Sequence, residues 1–156
     1  MTAVTTPDQR LEQDRTFPLP RTEPIAIHQI LNLFEKGSPE LLALMAEDLD
    51  FRIDHYRDEL DVSWQSARNL AEMTSVLQRL AQGVFTKGTR IAGLSSVALG
   101  EGWFLTRFHQ VFFYEVRQCD CESVTLILSH EKDGRLDYFR ETVTNVVDLG
   151  EREVEA

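Results

Sequence analysis

Two cysteines in 156 residues, Cys119 and Cys121, give this chain no disulfide framework. A bridge between positions two apart would be strained, and a zinc site would need a second ligand pair at suitable spacing, which the sequence lacks. His28, His55, His109 and His130 lack metal spacing too, so no metal is expected. No apolar run approaches the ~20 residues that cross a bilayer. The start, Met1-Thr2-Ala3-Val4, has neither the basic residues nor the apolar core of a secretory leader. A reducing cytoplasm is the default expectation, with no membrane partner. Basic residues are scarce, 16 Lys and Arg against 26 Asp and Glu, for a formal net charge of −10. Nucleic acid is not an expected partner, because phosphate binding needs a cationic stripe and no segment concentrates Lys and Arg. Gly83, Gly88 and Gly93 fit neither nucleotide fingerprint, and no cofactor is expected.

What the chain does contain is ordinary for a folded domain: 42% hydrophobic and 27% charged residues. Its length suits one core burying roughly 70% of the unfolded surface. Residues 1–23, with Pro7, Pro18 and Pro20, read as a flexible arm, 24–147 as the domain and 148–156 as an acidic tail. Pro24 opens a helix whose apolar stripe is Ile27, Ile30, Leu31 and Phe34, with His28 on an exposed side and Gly37 at its end. Ser38 caps a second, short helix with Pro39 at its first position, burying Leu41, Leu42, Leu44 and Met45. Residues 49–55 alternate as a half-buried strand does. Ser63 then caps a long helix carrying Trp64, Ala67, Leu70, Met73, Leu77 and Leu80.

From Thr86 the period becomes two, with strands near 89–100, 102–117, 122–132 and 135–147. Cys119-Asp120-Cys121 reads as the loop between the second and third of these. Asp133-Gly134 marks a two-residue type I′ hairpin. From that turn, simple pairing sets His130 opposite Asp137, Leu128 opposite Phe139, and Leu126 opposite Glu141. Those residues then share one mostly apolar face, on which Glu141 is expensive unless paired or used. Helices first and strands afterwards make an α+β domain.

The stretch Asp133-Gly134-Arg135-Leu136-Asp137-Tyr138-Phe139-Arg140-Glu141-Thr142 resembles the closing hairpin of the NTF2-like superfamily, in its SnoaL-like polyketide cyclase and limonene epoxide hydrolase branch. Thr106-Arg107-Phe108-His109 is a second echo, and the element order over residues 24–147 a third. The resemblance implies a cone-shaped, cystatin-like fold, with three N-terminal helices on a strongly curved antiparallel sheet and a ligand pocket inside. It also implies a homodimer through the outer sheet face, in keeping with a strand 102–117 that is apolar on both sides.

If the face carrying Trp103, Leu105, Arg107 and His109 looks inward, it meets Glu141, Leu128 and Phe139 from the hairpin. Phe51 and His55 join from the first strand, and Leu77 from the helix that closes the cone. Arg107 would then hold an oxyanion while His109 and Glu141 move a proton on a small, largely apolar molecule, as an isomerase, cyclase or hydratase does. An inward Arg–Glu pair also reads as a structural ion pair, and a non-catalytic binding or interaction scaffold stays open. The epoxide hydrolase pattern has an aspartate where His109 stands, so its water activation does not carry over.

Overall fold

The computed structural model describes residues 25–54 and 65–149, so His55, the whole N-terminal arm and most of the acidic tail lie outside the described residues. Helix α1 (Ala26–Glu35) buries Ala26, Ile27, Ile30 and Leu31 on one side. It ends where Gly37 turns to φ +67°, with its N–H on the Phe34 carbonyl and the Ser38 N–H on that of Leu33. His28 is not free on the surface: its Nε2 lies 2.7 Å from Ser96 Oγ, which in turn sits 2.6 Å from Thr106 Oγ1. That chain ties α1 to the sheet, and burial lowers the His28 pKa.

The second helix is a 3₁₀ segment, Pro39–Leu44, capped by Ser38 Oγ, which accepts from the Glu40 N–H. Met45 already belongs to strand β1 (Met45–Asp54). The long helix starts later than Ser63. Residues Gln65–Ala67 form strand β2, paired with β1, and only then does α2 (Leu70–Gly83) begin. A local capping signal sets that start: Asn69 Oδ1 accepts from the Glu72 N–H at 2.8 Å, while the Glu72 carboxylate accepts from the Arg68 N–H. The described helices are thus two α-helices and one 3₁₀ turn.

Strands β3 (Thr89–Gly100), β4 (Trp103–Tyr114), β5 (Cys119–Lys132) and β6 (Arg135–Asp148) complete a sheet of order β2-β1-β6-β5-β4-β3. The sheet is mixed: β1 runs parallel to β6 and the other pairings are antiparallel. Cys119 and Cys121 are in β5 rather than a loop, and Asp148 belongs to β6 rather than the tail. Register shifts interrupt the pairings of β1 with β6, β3 with β4 and β5 with β6, and such bulges bend a sheet.

One of these bulges decides which side chains face inward. Asp133 and Gly134 both have positive φ, 54° and 78°, as a type I′ turn requires. Pairing runs Lys132 with Arg135 and Glu131 with Leu136, then jumps to His130 with Tyr138. Asp137 is the extra residue, its carboxylate 2.6 Å from His130 Nδ1. Beyond it Ser129 pairs with Phe139 and Ile127 with Glu141, so the expected Leu128–Phe139 and Leu126–Glu141 pairs do not form. A one-residue slip exchanges the faces of a strand. The buried side of β5 is Cys121, Ser123, Thr125, Ile127 and Ser129. On β4 it is Phe104, Thr106, Phe108, Gln110, Phe112 and Tyr114.

The core lies between this face and the helices. Phe51 and Phe139 stack with centroids 4.4 Å apart, and Phe85 bridges Phe34 and Phe112 through edge contacts. Among the described residues no helix is long and apolar enough to cross a membrane.

Candidate functional site

A cavity of about 80 Å³ opens between α1, α2 and the inner sheet face. A single buried water needs roughly 10–15 Å³ on this measure, so the space suits a small organic molecule. Its wall is mainly apolar: Leu31 and Phe34 from α1, Met73 and Leu77 from α2, Phe108 and Phe139 from the sheet. Gln110, Tyr114, Ser123 and Glu141 supply the polar part.

Glu141 is the chemically distinctive group. It is 8% exposed, faces the cavity from the middle of β6, and sits between Ile53 of β1 and Ile127 of β5 in the sheet register. No ion pair to it occurs among the described residues. Burial disfavours its charged form and pushes the pKa from an ordinary 4.5 up to about 7. Thr125 pulls weakly the other way, although its hydroxyl does not meet hydrogen-bond geometry to the carboxylate.

Two more groups mark this region of the sheet. Ser123 Oγ and Thr125 Oγ1 are buried with no hydrogen-bond partner among the described residues. Buried hydroxyls nearly always find one, and Ser123 opens on the cavity, where a ligand or water would supply it. Gln110 pairs with Ser123 across the strands, and its side-chain carbonyl accepts from Thr89 Oγ1 at 2.7 Å. Around neutral pH the site can donate or accept a proton at Glu141 and orient a polar atom with Ser123 and Gln110.

The residues expected to meet in the cone are divided between two faces. Glu141, Phe51, Phe139 and Leu77 border the cavity. Arg107, His109, Trp103, Leu105 and Leu128 lie on the opposite face of the sheet. Arg107 is exposed there, and His109 Nε2 lies 3.2 Å from Glu122 Oε2. Trp103 packs against His130 and Tyr138, while Leu105 is 39% exposed. The Arg107–His109–Glu141 set therefore does not assemble, because β4 turns its charged side outward and its Phe104-Phe108-Phe112 side inward. A charged pair in the middle of one face was the signal for that orientation. Gln110 and Ser123 were missed because an amide and a hydroxyl on a strand carry no local signal that they face a cavity.

No protein-family model and no curated protein matches the chain. Solved structures do. An NTF2-like protein from Burkholderia xenovorans superposes with a TM-score of 0.60 at 16% identity, covering 82% of this chain and 91% of that one. An LEH-like epoxide hydrolase of M. tuberculosis gives 0.55 at 15% identity, covering 76% and 79%. TerC, co-crystallised with polyporic acid, gives 0.61 at 13% identity, covering 74% and 86%. At such identities the likeness is one of fold, and that fold is NTF2-like.

Proposed function

We propose that this chain, a protein of NTF2-like fold, takes up a small, largely apolar molecule and that Glu141 exchanges a proton with it, without a cofactor. Isomerisation, cyclisation or hydration of a weakly acidic carbon compound is the matching reaction class. The observation that carries this reading is a buried carboxyl group in a mainly apolar cavity, without an ion-pair partner among the described residues and poised between its two protonation states near neutral pH. Neighbours of the same fold that hydrolyse epoxides or take up polyporic acid support a small-molecule role.

A desolvated carboxylate base is tested without knowing the natural substrate by 5-nitrobenzisoxazole. Its C3 proton passes to the base as its N–O bond breaks, and the released phenolate is followed by absorbance. Wild-type protein is expected to accelerate this elimination with a rate that rises through pH about 7, and Glu141→Gln to lose the acceleration. Equal rates in the two proteins would refute the proton-transfer role. If an apolar fluorescent dye still bound both, the pocket would be a binding site without chemistry.

The outer face fits a second copy of the chain. Val97, Leu105 and Leu128 are aligned across β3, β4 and β5, with Leu126 two residues along. Val97, Leu99, Leu105 and Leu126 are 39%, 56%, 39% and 40% exposed. Apolar surface spread over three strands is what a homodimer would cover.

A further inference from the structure

The start of β5 and the end of β6 bring three metal-ligating side chains to one corner of the sheet, outside the cavity lining. Cys119 and Cys121, two apart on a strand, point to the same side. The register sets Cys121 opposite Asp148, and the Leu149 N–H to Asp120 carbonyl hydrogen bond, 2.6 Å, fastens the strands just beyond. The two Sγ atoms are 3.7 Å apart, and Cys121 Sγ donates to Asp148 Oδ1 at 3.3 Å. One ligand atom from each residue lies within 4.8 Å of the others.

We propose that Cys119, Cys121 and Asp148 bind one thiophilic divalent cation of the Zn²⁺ class, with a fourth position left to water.

The spacing is the first argument. Zn–S bonds of about 2.3 Å meeting at a tetrahedral angle put two sulfurs roughly 3.8 Å apart, and a Zn–O bond of about 2.0 Å puts sulfur and oxygen roughly 3.5 Å apart. The corner already holds these edges within a few tenths of an ångström. A disulfide would need the sulfurs at about 2.05 Å, with strained geometry between next-but-one strand residues. Charge is the second argument. Arg117 Nη1 holds Asp148 Oδ1 at 2.9 Å. Two thiolates, one carboxylate, this guanidinium and a doubly charged cation sum to zero, so the filled site carries no net charge into a partly buried corner. Arg117 also fixes the carboxylate, as groups behind metal ligands do. Access is the third. Cys121 is buried, but Cys119 is only partly so and the Asp148 side chain is 58% exposed, which leaves an entry path. Without metal the Cys121 thiol donates its proton to Asp148 Oδ1, and a cation takes that proton's place. Asp148 lies 27 residues from Cys121 and only the sheet register unites them.

Co²⁺ titration of the full chain under reducing conditions tests the site. One equivalent is expected to give the near-ultraviolet thiolate band and the visible bands of tetrahedral Co²⁺, both bleached by one equivalent of Zn²⁺. Cys119→Ser and Asp148→Asn, partly exposed positions whose folding is checked by far-ultraviolet circular dichroism, should each bind Co²⁺ at least about tenfold more weakly. Absence of the thiolate band in wild-type protein overturns the proposal. So does a band that both variants retain at full strength, which would place the metal elsewhere. A wild-type chain two mass units lighter under the same reductant would mark a disulfide and overturn it as well.

Discussion

Replacing Glu141 by Gln keeps its shape and removes its charge, so the two proteins should differ in stability in a pH-dependent way. The Glu141 carboxyl has an ordinary pKa of 4.5 when exposed and about 7 in the folded protein. Below the lower value it is protonated in both states and costs nothing. As pH rises between the two, the unfolded chain loses the proton while the folded one keeps it, and stability falls; above about 7 the full penalty applies. Each unit of difference is worth about 1.4 kcal/mol, so ionised Glu141 destabilises the fold by about 3 kcal/mol at alkaline pH. Urea unfolding of both proteins from pH 4 to 9 isolates the effect, because every other titrating group cancels in the difference. Glu141→Gln is expected to gain on wild type steadily from pH about 4.5 to about 7 and to hold that gain at higher pH. A difference that stays flat with pH, or that favours wild type as pH rises, would refute the burial argument.

Four other outcomes follow from the same structure. Gly102 has φ +87°, and a Cβ there would sit 2.5 Å from the Glu131 carbonyl oxygen; Gly102→Ala should cost at least about 1–3 kcal/mol in urea unfolding. Phe139→Ala removes the ring stacked on Phe51 and should cost about 3–5 kcal/mol by the same assay. Arg140→Ala breaks a two-pronged but partly exposed ion pair with Asp50 and should cost about 1 kcal/mol or less, diminishing in high salt. Leu126→Arg should shift a sedimenting dimer to monomer without changing the far-ultraviolet spectrum, and a species of unchanged mass would argue against the outer face as the interface.

Positions along the chain were easier to read than orientations. The Asp133-Gly134 turn and the extents of β3, β5 and β6 are written in local residue types, and they fall where the two-residue period and the turn chemistry put them, β5 alone reaching three residues further back. The capping pair Asn69 and Glu72 is equally local, but the apolar spacing from Trp64 to Leu70 mimics a helix that starts a turn or more earlier. The faces were harder. β4 carries large apolar side chains on both sides, so alternation alone does not say which is inside. On β6 a single extra residue, Asp137, reverses the pairing beyond it, and nothing in a two-residue period announces a bulge. Glu141 and Phe139 reach the cavity because they lie on the inner face of β6 itself. Arg107, His109 and Leu128 do not, because their orientation depended on register and on the choice between two apolar faces.

The parallel pairing of β1 with β6 has a consequence for how the domain assembles. Asp50 meets Arg140 across 90 residues of chain, and Phe51 meets Phe139 in the same ladder. Closing so long a loop carries an entropic cost, and pairings between residues far apart in the chain slow folding. During synthesis β1 emerges long before β6, and among the described strands only the short β2 can pair with it until then. The strand that completes the sheet is also the one that carries Glu141 into the cavity, so a nascent chain acquires its buried carboxyl and its finished core in a single late step.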